Sequence, residues 1–172
     1  MTTPAAPAAD AFELAAVLPG TELPALVLPE VTDGTVVRYA RASRDDNPLH
    51  LDAAAAREAG LPGTIAHGMF TMALLGRVVT GWAPQSRLLS FKVSFVAPVP
   101  VGDVVTCTGT VTDVVEADDG RHAHVRLAAR RGDGTLVVRG RAVVAVGERP
   151  ASLADDPPGP APEEPVDGAT RD

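Results

Sequence analysis

Between Leu23 and Val146 the period of apolar positions changes once, and that change predicts the elements. Leu23 to Val31 is a short apolar run interrupted by Pro24 and Pro29, as in an edge strand. Thr32 or Asp33 can cap a helix running to about Ala42, with Val36, Val37 and Ala40 on one side. A polar loop, Ser43 to Asn47, follows; Asp52 then offers a cap for a helix over Ala53 to Ala59, stopped by Gly60. Gly68 to Trp82 is the longest helical stretch and is apolar on nearly every side, so other elements must wrap it. Beyond Trp82 the period becomes two. Leu89, Phe91, Val93 and Phe95 alternate with polar residues, Val104 to Val115 forms a second strand, and Ala123, Val125, Leu127 and Ala129 mark a third. Gly132-Asp133-Gly134 turns the chain into a fourth, Leu136 to Val146. One buried helix followed by at least four antiparallel strands predicts an α+β fold, a curved sheet around that helix.

Composition sets the limits of this body. The 172 residues suit one domain, and with only six aromatic side chains the core must be mostly Val, Leu and Ala. The formal charge of −7 is unevenly spread: Glu148 to Asp172 holds seven acidic and two basic residues, which leaves −2 for residues 1–147. Six prolines and few large apolar residues there predict a disordered acidic tail over 148–172. The Ala- and Pro-rich residues 1–19 read as a similar loose extension, leaving 20–147 as the folded domain. The acidic balance argues against a nucleic-acid partner. No apolar run is long enough to span a membrane. With the single Cys107 and no basic residue before Arg38, the expectation is a cytoplasmic protein without disulfides or a cysteine-bound metal.

Two polar segments could carry chemistry. The first is Ser43-Arg44-Asp45-Asp46-Asn47-Pro48-Leu49-His50. Asp and Asn before Pro are ordinary turn formers, so the segment can be turn chemistry alone. Alternatively Asp45 and His50 converge across the Pro48-restricted loop on one water, as an acid–base pair, with Asn47 orienting the pair or a substrate. The second is Ile65-Ala66-His67-Gly68-Met69, where the long helix begins. Free N–H groups at a helix start can stabilise charge developing on a carbonyl oxygen, and Gly68 would let a substrate approach closely. The plainer alternative is that Thr64 or His67 caps the helix and Gly68 packs. His122 and His124 share a strand face with Arg126 and Arg130, read as solvent-facing, and receive no role.

These two segments, followed by Phe95-Val96-Ala97-Pro98-Val99-Pro100-Val101-Gly102-Asp103, resemble the MaoC-type (R)-hydratase family. Its signature is Ser-Gly-Asp-x-Asn-Pro-x-His, ahead of a helix that starts His-Gly-Met. Ala66 to Met72 and Val79 to Trp82 are similar to the catalytic subunits of mycobacterial (3R)-hydroxyacyl-ACP dehydratases. The resemblance covers Leu23 to Val146 and implies the hotdog fold. It also implies reversible hydration of trans-2-enoyl thioesters of CoA or ACP to (R)-3-hydroxyacyl thioesters, in fatty-acid or polyketide metabolism. On this reading Asp45 and His50 are catalytic, while Asn47, Gly68 and His67 bind substrate. No metal or redox cofactor is implied, and the partner is a second hotdog subunit, in a homodimer or heterodimer.

Arg44 stands where the family has glycine, so it must avoid a positive φ or accept strain. With Arg38 and Arg41 it could reach a carrier phosphate, or form a solvated basic edge. A hotdog thioesterase is the alternative enzyme, but such enzymes commonly carry a helix carboxylate and Gly68 to Trp82 has none. A non-catalytic acyl-binding or assembly subunit would have no need of both Asp45 and His50.

Overall fold

The computed structural model describes residues 14–28 and 30–147. In chain order it contains β1 (Leu26–Leu28), α1 (Asp33–Ser43), α2 (Pro48–Leu51), α3 (Ala53–Glu58), α4 (Gly68–Trp82), a 3-10 turn at Gln85–Arg87, β2 (Leu88–Phe95), β3 (Val105–Ala117), β4 (Gly120–Arg131) and β5 (Leu136–Ala145). Local chemistry explains several boundaries. Thr32 caps α1 by accepting from the Thr35 N–H, and Asp52 caps α3 by accepting from Ala54 and Ala55. The strands form one antiparallel sheet in the order β1-β3-β4-β5-β2. Alternate residues turn inward along β3 as far as Val111 and along most of β4 and β5, with register shifts between Val111 and Asp113 and between Ala129 and Arg130. Cys107, Val125, Leu127, Val138 and Val144 meet Leu74, Leu75, Val78, Val79 and Trp82 of α4 in one core. This is the expected α+β hotdog arrangement.

Four expectations change. Leu14 and Val17 are 0% and 6% exposed, so the packed body begins before Gly20. Their three-residue spacing puts both on one side of a short turn, hidden in an Ala- and Pro-rich composition. The remainder of the expected N-terminal extension (1–13) and the whole of 148–172 lie outside the described residues. Secondly, α4 is not wrapped on all sides by this chain: Met69 is 55% exposed and Ala73 is also open. Thirdly, β2 does not alternate cleanly, because a register shift between Leu88 and Ser90 turns Leu88 to the core and Leu89 outward. Finally, Val37 is on the exposed side of α1, where only Val36 and Ala40 are buried.

Candidate active site

Helix α1 ends in a left-handed residue, Arg44, with φ 56° and ψ 34°. The Arg44 and Asp45 N–H groups both donate to the Ala40 carbonyl, and this closure throws Asp45 out of the helix. The left-handed position explains why glycine suits this site: Arg44 accepts the strain that the sequence left as one of two options. The Asp45 carboxylate then accepts from the Asn47 N–H at 3.3 Å, while Asn47 Oδ1 caps α2 by accepting from Leu49 at 3.0 Å. Turn chemistry is therefore present, and it delivers His50 on the four-residue helix α2, an element the pattern did not predict.

Backbone pairing holds His50 in place. The Ile65 N–H donates to the Leu49 carbonyl, and His50 Nδ1 lies 2.8 Å from the Ile65 carbonyl oxygen. A carbonyl only accepts, so Nδ1 carries the hydrogen and Nε2 keeps the lone pair in the neutral ring. Ile65 is itself clamped: Ala66 N–H donates to the Val99 carbonyl and Val101 N–H to that of Thr64. The Phe95 to Asp103 segment thus acts as the brace behind His50, a role its sequence did not reveal.

His67 is the surprise of the site. It is 1% exposed, and its Nε2 donates to the Asp45 backbone carbonyl at 3.1 Å. Its ring stacks on His50, with centroids 3.8 Å apart and planes at 28°, and packs against Tyr39 at 5.0 Å. Its Nδ1 is buried without a partner among the described residues. His67 heads α4 but makes no side-chain cap, so the capping alternative fails. Asp45, His50 and His67 bring potential ligand atoms within 4.8 Å of one another. His50 Nδ1 and His67 Nε2 are each committed to a backbone carbonyl and His67 Nδ1 is buried, so the cluster suits proton handling better than chelation.

Gly68 opens α4, where the first N–H groups have no intrahelical acceptor. Among the described residues nothing accepts from the Gly68 N–H. A Cβ there would stand 3.1 Å from the Phe95 ring, so the glycine packs closely as well as leaving its amide open. Asp45, Asn47 and Gly68 are exposed and His50 is partly buried. Arg38 donates to Thr35 within its own helix, and Arg38, Arg41 and Arg44 form an exposed basic edge. His124 is exposed as expected; His122 instead pairs with Asp119 at 3.0 Å, a carboxylate the strand pattern did not place nearby.

Residues 17–131 match the family model described as the MaoC like domain. A mitochondrial 3-hydroxyacyl-[acyl-carrier-protein] dehydratase of Solanum lycopersicum is 28% identical over 126 residues, covering 73% of this chain and 74% of that protein. The solved structure of an (R)-hydratase from A. caviae involved in PHA biosynthesis is 30% identical with a TM-score of 0.64, over 75% of this chain and 96% of that one. A chain of the ChsH1–ChsH2 complex from Mycobacterium tuberculosis is 26% identical with a TM-score of 0.65, over 74% and 97%. The HadBC (3R)-hydroxyacyl-ACP dehydratase complex from the same organism, at 20% identity and a TM-score of 0.59 over 73% and 95%, shares the fold.

Proposed function

The chain belongs to the MaoC-like family, and from that premise we propose how its residues perform the family's chemistry. It is a hydro-lyase that interconverts trans-2-enoyl thioesters and (R)-3-hydroxyacyl thioesters. One water supplies both groups, the hydroxyl to C3 and the proton to C2, so water is the only co-reactant. The observation that carries the assignment of roles is the bond from His50 Nδ1 to the Ile65 carbonyl. It leaves Nε2 as the proton acceptor for a water shared with the Asp45 carboxylate. His50 takes the water's proton as the hydroxyl adds to C3, and the pair returns a proton to C2. The Gly68 N–H stabilises the oxygen of the thioester carbonyl as enolate character develops. Asn47 shapes the loop through its cap and presents its amide nitrogen to solvent and substrate. Burial leaves His67 no open polar atom for a substrate, so its role here is to position Asp45 and His50.

The test is spectrophotometric hydration of short enoyl-CoA substrates by the wild type, Asp45→Asn and His50→Ala. Each variant is expected to lose on the order of 10²–10⁴ in rate. Comparable activity in all three would overturn the pair, and turnover of ACP thioesters alone would identify the carrier.

A second subunit completes the site. Phe95, Val96, Met69 and Leu51 are 54%, 53%, 55% and 42% exposed beside Gly68 and His50, an apolar rim that a single chain leaves in water. Strand β2, which carries Phe95, is also a free edge of the sheet. Sedimentation equilibrium should give twice the 17.7 kDa chain mass; a monomer that gains activity only with a second hotdog chain would make the complex a heterodimer. Among the described residues no helix is long and apolar enough to cross a membrane. We propose a cytoplasmic location, checked by cell fractionation.

A further inference from the structure

The outer face of the sheet, turned away from α4, carries a row of like charges. Strand register sets Thr110, Arg126, Arg141 and Lys92 side by side across β3, β4, β5 and β2, and the next row adds Arg139 between Ala128 and Ser94. All four cations are exposed, and none forms an ion pair among the described residues. Neighbouring strands are about 4.8 Å apart, and like charges directly opposite destabilise the pairing. The cations line a groove of about 1170 Å³ that contains none of the site residues. Asp113 is the one carboxylate among the described lining residues, against five cations (Lys92, Arg126, Arg130, Arg139 and Arg141), so the groove keeps a net positive charge.

The same chain carries the complementary charge. Residues 148–172 hold seven acidic and two basic side chains and follow directly on Gly147. Arg141 lies six residues before Gly147 on the strand that leads into this segment, a distance of about 20 Å in extended backbone. Asp155 and Asp156 come eight and nine residues after Gly147, a reach of about 26–32 Å. The segment is therefore long enough for its carboxylates to reach Arg141, Arg126 and Lys92 if it doubles back over β5. The tether holds them at an effective concentration on the order of millimolar, ahead of a free anionic protein.

We propose that the basic outer face of the sheet is the docking surface for the acidic segment 148–172 of the same chain. The contact is electrostatic and needs no fixed fold in the segment, and it relieves the repulsion within the cationic row.

Lys92 is the sole lysine of the chain, which makes the test clean. The full-length protein, mixed with a ¹⁵N-labelled copy, is treated with a zero-length carbodiimide at low salt and mapped by mass spectrometry. The expected product joins Lys92 to a carboxylate of 148–172 within one chain. Its yield should fall at least about fivefold in 0.5 M salt, where screening is short-ranged. It should fall similarly in Asp155→Asn/Asp156→Asn/Glu163→Gln/Glu164→Gln, a variant that alters nothing in the packed body. Lys92 left unlinked, linked only to Asp113 or Glu22, or linked between labelled and unlabelled chains would overturn the proposal. So would an unchanged yield in the neutralised variant, or full displacement by a stoichiometric acidic carrier protein.

Discussion

At the scale of single residues, the proposed mechanism divides the work between two histidines by what their nitrogens touch. His50 spends Nδ1 on the Ile65 carbonyl and keeps Nε2 free, while His67 spends Nε2 on the Asp45 carbonyl and keeps a buried Nδ1. His67 therefore holds the backbone of one member of the pair and supports the ring of the other. His67→Phe keeps a ring beneath His50 but removes the donor to Asp45. The expected result is a kcat reduced about tenfold with KM nearly unchanged, and a stability loss of about 1–3 kcal/mol from the lost bond. A rise in KM with kcat retained would instead assign His67 to substrate binding. The sequence brought Asp45, His50 and Gly68 into consideration because their types and spacing carry chemistry. It could not separate His67 from a substrate ligand, since burial depends on Tyr39 and His50 arriving from elsewhere in the chain.

At the scale of elements, the end of α1 shows how much a cap can decide. Arg44 occupies a left-handed position that costs a non-glycine residue on the order of 1 kcal/mol. Arg44→Gly is expected to raise the unfolding free energy by up to about 1 kcal/mol in urea titration, with thioester kinetics unchanged. A large loss of activity with CoA substrates would show that the guanidinium contributes to carrier binding. Elements with strong periodicity were legible: α4 runs over Gly68–Trp82 as its apolar pattern indicates, and β3, β4 and β5 follow their alternation to within two residues at most ends. The shift in β2 was not, because a bulge is set by pairing with β5 rather than by β2 itself. Nor was α2, whose four residues are too short to show a period and stand only through the Asn47 cap and the Ile65 contacts.

At the scale of the whole molecule, the lone cysteine reports on the core. Cys107 is fully buried, and burial pushes its thiol from an ordinary 9.0 up to about 12. Between those values the unfolded chain has released a proton that the folded chain still holds, so stability falls as pH rises through that window. The slope approaches about 1.4 kcal/mol per pH unit. Urea midpoints at pH 8 and pH 10.5 should therefore drop more steeply for the wild type than for Cys107→Ala; equal slopes would mean that the thiol reaches water.

The sequence by itself determined the long helix, the strands that follow it and the pair of polar segments from which the candidate site is built. These depend on periods, caps and turn residues, which act over a few positions. Tertiary structure alone decided that His67 is buried against His50, that the Phe95 to Asp103 segment braces the site, and that Arg126, Arg141 and Lys92 stand in one row. Those facts come from strand register and from contacts between distant segments, whose energies depend on which surfaces meet rather than on any local pattern.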